Sequence, residues 1–195
     1  MSDVISREGL LALVDEWLGA GVSVSAPKQV KPGLFLYSKI AASGDVALDG
    51  FIRPRNSVKD VVFPRHEALC KYKYEGQQIE VAGCEPVNAR HIVLGARPCD
   101  AAALTILDKV FNWDFTDEFY TARRENTIIV TLACATHDDS CFCTSVDLGP
   151  ADTKGSDVLL LPLSNGGFEV RAVTEKGKAL FQGKTQGSNE SAPAV

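Results

Sequence analysis

The chain has 195 residues, 45% of them hydrophobic and 23% charged, enough for one globular domain with a sizeable core. Its formal net charge of −5 argues against nucleic acid as a partner, which needs a basic surface to neutralise phosphates. No apolar run approaches the roughly 18–20 residues of a membrane-spanning helix, and Met1 to Arg7 lacks the charged-then-apolar layout of a signal peptide. The expectation is a cytoplasmic protein. In that reducing compartment six cysteines suit metal ligation or redox chemistry better than structural disulfides.

From the N-terminus, Ser6 is placed to cap a helix over Arg7 to Leu18, where Leu10, Leu11, Leu13, Val14, Trp17 and Leu18 share one broad face. Gly19 and Gly21 stop it. Val22–Ser25 alternates weakly, and Lys31-Pro-Gly33 is a turn. Leu34–Ile40 reads as a strand that turns at Ser43-Gly44 into Asp45–Leu48, a hairpin-like pair. Arg53, Arg55, Lys59 and Arg65 give the next stretch a positive balance, read either as a solvated face or as a docking surface. Leu69–Tyr74 and Gln78–Ala82 form a second hairpin around Glu75-Gly76.

The texture then becomes α/β. The apolar run His91–Ala96 is a buried strand, followed by Pro98 in the first turn of a helix over Asp100–Val110. Thr116 caps a short helix to Arg124, with Phe119 and Tyr120 buried, and Thr127–Ala133 is a second buried strand. Val158–Leu163 and Phe168–Val173 pair through Asn165-Gly-Gly167, and Thr174–Phe181 is a last helix. The fold expected is α/β (or α+β): a mixed sheet with flanking helices, an N-terminal amphipathic helix, and hairpins on both sides of a central βαβ-like segment. Residues 1–182 form one domain on this reading, and residues 183–195, rich in Gly, Ser, Asn and Ala, a disordered tail.

Three cysteines crowd the stretch Cys134-Ala-Thr-His-Asp-Asp-Ser-Cys141-Phe-Cys143-Thr-Ser145, and Cys99 stands in Arg97-Pro-Cys-Asp100. Cys99 and Cys134 each follow a buried strand. Two parallel neighbours ending at one sheet edge would bring them together, and the loop would fold Cys141 and Cys143 back onto them. Two cysteines separated by one residue can turn to the same side, which leaves Phe142 for apolar cover. Spacing alone leaves four readings open: an iron–sulfur cluster on four thiolates, a tetrahedral zinc site with His137 as an alternative ligand, a redox pair at Cys141 and Cys143, and small buried thiols. Cys70 and Cys84 have no close cysteine neighbour and read as incidental. Arg97, Arg123 and Arg124 would offset the charge of an anionic cluster; Arg123 and Arg124 also read as the favourable cationic end of a helix. Asp100 sits at a helix start, and His66, His91 and His137 find no consistent acid–base partner. A second glycine is missing from any dinucleotide fingerprint at Gly95-Ala-Arg97.

Leu94-Gly-Ala-Arg-Pro-Cys-Asp-Ala-Ala-Ala-Leu104, Phe119-Tyr-Thr-Ala-Arg-Arg-Glu-Asn-Thr127 and Cys141-Phe-Cys-Thr-Ser145 resemble the N-terminal region of the anaerobic sulfite reductase A-subunit family, which includes the beta subunits of cytoplasmic sulfhydrogenases. Asp49–Pro54, Val62–Pro64 and Thr174–Gly177 match more loosely. The resemblance implies an iron–sulfur electron-transfer subunit of an oxidoreductase complex, without catalysis of its own. It implies partners that bind flavin or NAD(P) or are ferredoxin-like. Family members continue into a ferredoxin-like domain with two more clusters. This sequence holds no such cysteine run, so the resemblance implies one [4Fe–4S] cluster, at Cys99, Cys134, Cys141 and Cys143. The alternative is a zinc-bearing or metal-free module that assembles such a complex.

Overall fold

The computed structural model describes residues 2–188 and Ala192. In chain order the elements are β1 (Ser2–Ile5), α1 (Arg7–Gly19), β2 (Ser23–Lys31), β3 (Leu34–Lys39), α2 (Lys59–Val62), β4 (Cys70–Glu75), β5 (Gln78–Gly83), β6 (His91–Ala96), α3 (Pro98–Phe111), α4 (Glu118–Asn126), β7 (Thr127–Leu132), β8 (Val158–Pro162), β9 (Phe168–Ala172), α5 (Glu175–Phe181) and β10 (Gln186–Ser188). Eight strands make one mixed sheet in the order β10-β1-β9-β8-β7-β6-β2-β3, and β4 with β5 stands apart as a two-stranded sheet. The expected α/β class is borne out.

The centre of the sheet is parallel: β2 runs with β6, β6 with β7, and β7 with β8. Such strands are covered on both faces, which is why β6 and β7 are near-continuous apolar runs. Alternate residues go to opposite layers. Ile92, Leu94, Ile128, Val130 and Leu160 pack under Leu10, Val14 and Trp17 of α1 and Phe181 of α5. Val93, Ala96 and Ile129 pack under Ala101 and Leu104 of α3 and Tyr120 of α4. A fully buried aliphatic side chain is worth about 1.5–3 kcal/mol, so these two layers fix the strand ends on which the cysteines ride.

The caps follow side-chain chemistry. Ser6 Oγ accepts from Gly9 N at 3.0 Å, and Thr174 Oγ1 from Gly177 N at 3.3 Å. The short helix α4 is capped by Asp117, whose Oδ1 accepts from Tyr120 N at 2.8 Å, rather than by Thr116; a carboxylate at that end also meets the positive pole of the helix. Phe119 of α4 is only half-buried.

Two expectations of pairing change. β3 pairs antiparallel with β2, not with Asp45–Leu48; Ser43–Asp45 is a 3-10 turn, with Ser43 N and Oγ bonded to Asp15. β2 is longer than its alternation suggested because it spans a parallel pairing with β6 and an antiparallel one with β3. Gly95, at φ 76°, adopts a backbone that side chains rarely take, and an added Cβ would also press on Pro27 Cδ at 3.1 Å, so glycine lets β6 pass β2 without strain there. Among the residues 183–195 expected as a disordered tail, Gln186–Ser188 pair with Ser2–Val4 and close one edge of the sheet. Residues 189–191 and 193–195 lie outside the described residues.

Candidate functional site

β6 and β7 are parallel neighbours, with Ile92 opposite Ile128 and Leu94 opposite Val130. Their carboxyl ends therefore release the chain at one edge. From β6 the chain enters Arg97 and then α3, with Pro98 in its first turn, so Cys99 sits in that turn. From β7 it passes Ala133, whose N donates to Leu160 O, and Cys134, whose N donates to Pro150 O, both at 2.9 Å. Pro150 thus folds the far end of the cysteine loop back beside its start. Gly155 then runs against the first turns of α3: a Cβ there would sit 2.2 Å from Ala101 O.

The four cysteines share one electrostatic neighbourhood. Cys99 is exposed as a residue, yet the atoms packed around its thiol partly desolvate it and push it up to about 11, and the negative charges of Asp100, Cys134 and Cys143 add to the rise. Cys134 is also raised, by burial first and then by Cys141, Cys143 and Asp100, against the opposing pull of Arg97. All six cysteines are free thiols. Unmetallated, the raised pair stays protonated at neutral pH, and binding a cation there releases protons. Among the described residues no three His, Cys, Asp or Glu side chains stand close enough to grip a single metal ion.

Arg97 is the least compensated charge at this edge. It is 6% exposed. Its Nη1 donates to Leu132 O and Ala133 O at 3.5 and 3.4 Å, and its Nη2 to Phe51 O at 3.1 Å. Its guanidinium lies 4.9 Å from the centre of the Phe51 ring, and its Nε has no hydrogen-bond partner among the described residues. A buried cation satisfied only by stretched carbonyl contacts favours a nearby anion. Its main-chain N donates to Tyr37 Oη at 3.2 Å. Tyr37 Oη also lies 3.4 Å from Asp100 Oδ2, and Ser57 Oγ lies 3.3 Å from Asp100 Oδ1. Burial raises the Asp100 carboxyl, against the lowering effect of those two hydroxyls. Asn56 clamps the Tyr37 main chain from both sides, at 2.7 and 2.9 Å.

The outer half of the loop is held by a polar knot. Asp138 Oδ1 accepts from Ser140 N at 2.9 Å and from Ser140 Oγ. Asp138 N donates to Cys141 Sγ at 3.5 Å. Arg53 Nη2 donates to Ser140 Oγ at 2.6 Å, with Arg53 Nε 3.8 Å from Asp138 Oδ2. One residue of the positive stretch therefore braces the cysteine loop. Phe142, expected under apolar cover, is 66% exposed, and no described residue buries it.

The other candidates disperse. Arg123 pairs with Glu67 and donates to Val62 O, and Arg124 pairs with Asp108 at 3.1 Å; both are used within the helical layer. His137 is exposed in the loop. His91 Nε2 lies 2.9 Å from Ser25 Oγ, and burial pulls that imidazole down to about 4. Cys70 sits on the exposed strand β4 and Cys84 just after β5. Tyr37 and Asn56 were not singled out in the sequence, and Phe51 stood only within the loosely matching Asp49–Pro54, since each reaches the site only through the β2–β3 pairing and the strap after β3.

No family model matches the chain, and no solved structure matches it. Among curated proteins, 128 residues, 65% of this chain, are 31% identical to Sulfhydrogenase 2 subunit beta of Pyrococcus furiosus. The chain spans about a third of that relative, 32% of its length.

Proposed function

We propose that this chain is an iron–sulfur electron-transfer subunit of a cytoplasmic multi-subunit oxidoreductase, with one [4Fe–4S] cluster held by Cys99, Cys134, Cys141 and Cys143. The observation that carries the reading is the release of Cys99 and Cys134 at the shared carboxyl edge of two parallel strands, with Cys141 and Cys143 in the loop that follows, beside a buried arginine with no carboxylate partner among the described residues. The likeness to Sulfhydrogenase 2 subunit beta supports placing it in a complex. Its partners are then a flavin- or NAD(P)-binding subunit on one side and another redox subunit on the other.

The donor set fits such a group. A single zinc ion draws its thiolates to about 2.3 Å, whereas a cubane spreads four thiolates around a larger core. Two of the four thiols stand at strand ends fixed by the core and two in a loop held only at its surface, a set able to spread around such a core. Arg97 offsets the negative charge of the thiolates, and Asp138 N lies on Cys141 Sγ, the kind of N–H···S contact that raises a potential. When bound, the cluster supplies reversible one-electron transfer. The protein's own part is to hold the four sulfurs, to place a cation behind Cys134, and to leave Cys99 and Cys141 open to solvent, where a partner can approach.

The reading from another class, a zinc-bearing or metal-free assembly module, draws on the exposed apolar surface. Trp113 and Phe115 are 85% and 77% exposed. Metal and sulfide analysis of protein purified without oxygen, with its visible spectrum, separates the two. Brown protein with acid-labile sulfide supports the cluster. Colourless protein with one zinc per chain supports the module.

A further inference from the structure

A second site opens at the same edge of the sheet, on the layer covered by α1. It is a cleft of about 290 Å³, at the small end of ligand pockets, between the ends of β7 and β8 and the strap at residues 48–51. Leu132, Leu163, Phe168 and Phe51 give it apolar walls, and Arg97 is part of its lining. At the rim, Arg7 Nη1 meets Asp49 Oδ2 at 2.6 Å. The carboxyl edge is where open α/β sheets place their ligands.

The charge balance inside is one-sided. Among the described residues the Arg97 guanidinium hydrogen-bonds only to carbonyls, at 3.1 to 3.5 Å, longer than the roughly 2.7–2.9 Å of a charge-assisted bond. No carboxylate pairs with it among the described residues. A guanidinium matches a planar carboxylate better than a lone carbonyl. The Phe51 ring under it and the aliphatic walls suit a short hydrocarbon body. We propose that this cleft binds a small monocarboxylate, with its carboxylate toward Arg97 and its alkyl part against Leu163 and Phe168. The cleft shares Arg97 with the cysteine edge, but its apolar walls and rim belong to other residues.

The test is titration of the whole chain with butyrate, with its neutral isostere butyramide, and with inorganic phosphate. Calorimetry gives affinity, and amide shifts at Ala133, Ala135 and Gly167 give location. Butyrate should bind saturably, at least about tenfold more tightly than butyramide, the difference expected for hydrogen bonds to a charged group. Arg97→Gln should abolish the preference. Asp49→Asn, at an exposed rim position, removes a repelling carboxylate and should tighten butyrate several-fold; it keeps the test decisive if Arg97→Gln does not fold. Equal binding of butyrate and butyramide, no response to Asp49→Asn, or tighter binding of phosphate than of butyrate would each overturn the proposal. Iron and sulfide are measured on the same samples. In the unaltered protein, iron present without butyrate selectivity breaks this inference alone, and butyrate selectivity without iron breaks the cysteine reading alone.

Discussion

Every residue of β7 from Thr127 to Leu132 is buried, while in the loop that follows, from Ala135 to Asp147, only Asp138 and Cys143 are even half-buried. The strand is held by two packed layers and two parallel ladders. The loop is held by the Asp138–Ser140–Arg53 knot and a few main-chain bonds. Cys134 belongs to the first region and Cys141 to the second. Half of the candidate ligand set is thus placed by core packing, and half by contacts that water can compete for. A site built this way is pre-positioned on one side and adaptable on the other, which suits residues that must close around a group arriving after folding.

Substitutions on the two sides should differ sharply in size. Ile129→Ala, at a position with no exposed surface, removes aliphatic contact from the layer beneath α3 and α4. It should cost about 2–5 kcal/mol in global stability, read from denaturant unfolding. A cost near zero would mean that the strand ends are not fixed by this core. Arg53→Ala breaks a pair whose members are 50% and 37% exposed, and exposed pairs are worth about 0–1 kcal/mol. Global unfolding should hardly move, while hydrogen exchange at Ser140 and Cys141 quickens. Equal protection in both proteins would show that the knot does not hold the loop.

The same contrast explains what the sequence could disclose. Strands β6 and β7, helix α1 and the β8–β9 hairpin carry their own signals, in continuous apolar runs, helical spacing and Asn165-Gly-Gly167, because burial against neighbours selects those patterns. From them the meeting of Cys99 and Cys134 at one edge could be anticipated. β2 was legible only as far as Ser25, since Pro27 and the polar residues after it disguise a strand that pairs on two sides. The bracing of the loop by Arg53 spans 87 positions, and Tyr37 meets the main chain of Arg97 across 60; no local spacing announces either contact. Phe142 misled because its apolar character suggested cover, where the fold leaves solvent.

The claim that matters most is that four thiols, and only those four, hold one cluster. The direct measurement is iron and acid-labile sulfide per chain, after anaerobic purification, for serine variants of all six cysteines. The account predicts about four of each in the unaltered protein, as a cubane requires. It predicts the same content in Cys70→Ser and Cys84→Ser, and loss or strong disturbance in Cys99→Ser, Cys134→Ser, Cys141→Ser and Cys143→Ser. Full iron in Cys99→Ser together with iron lost in Cys84→Ser would contradict it.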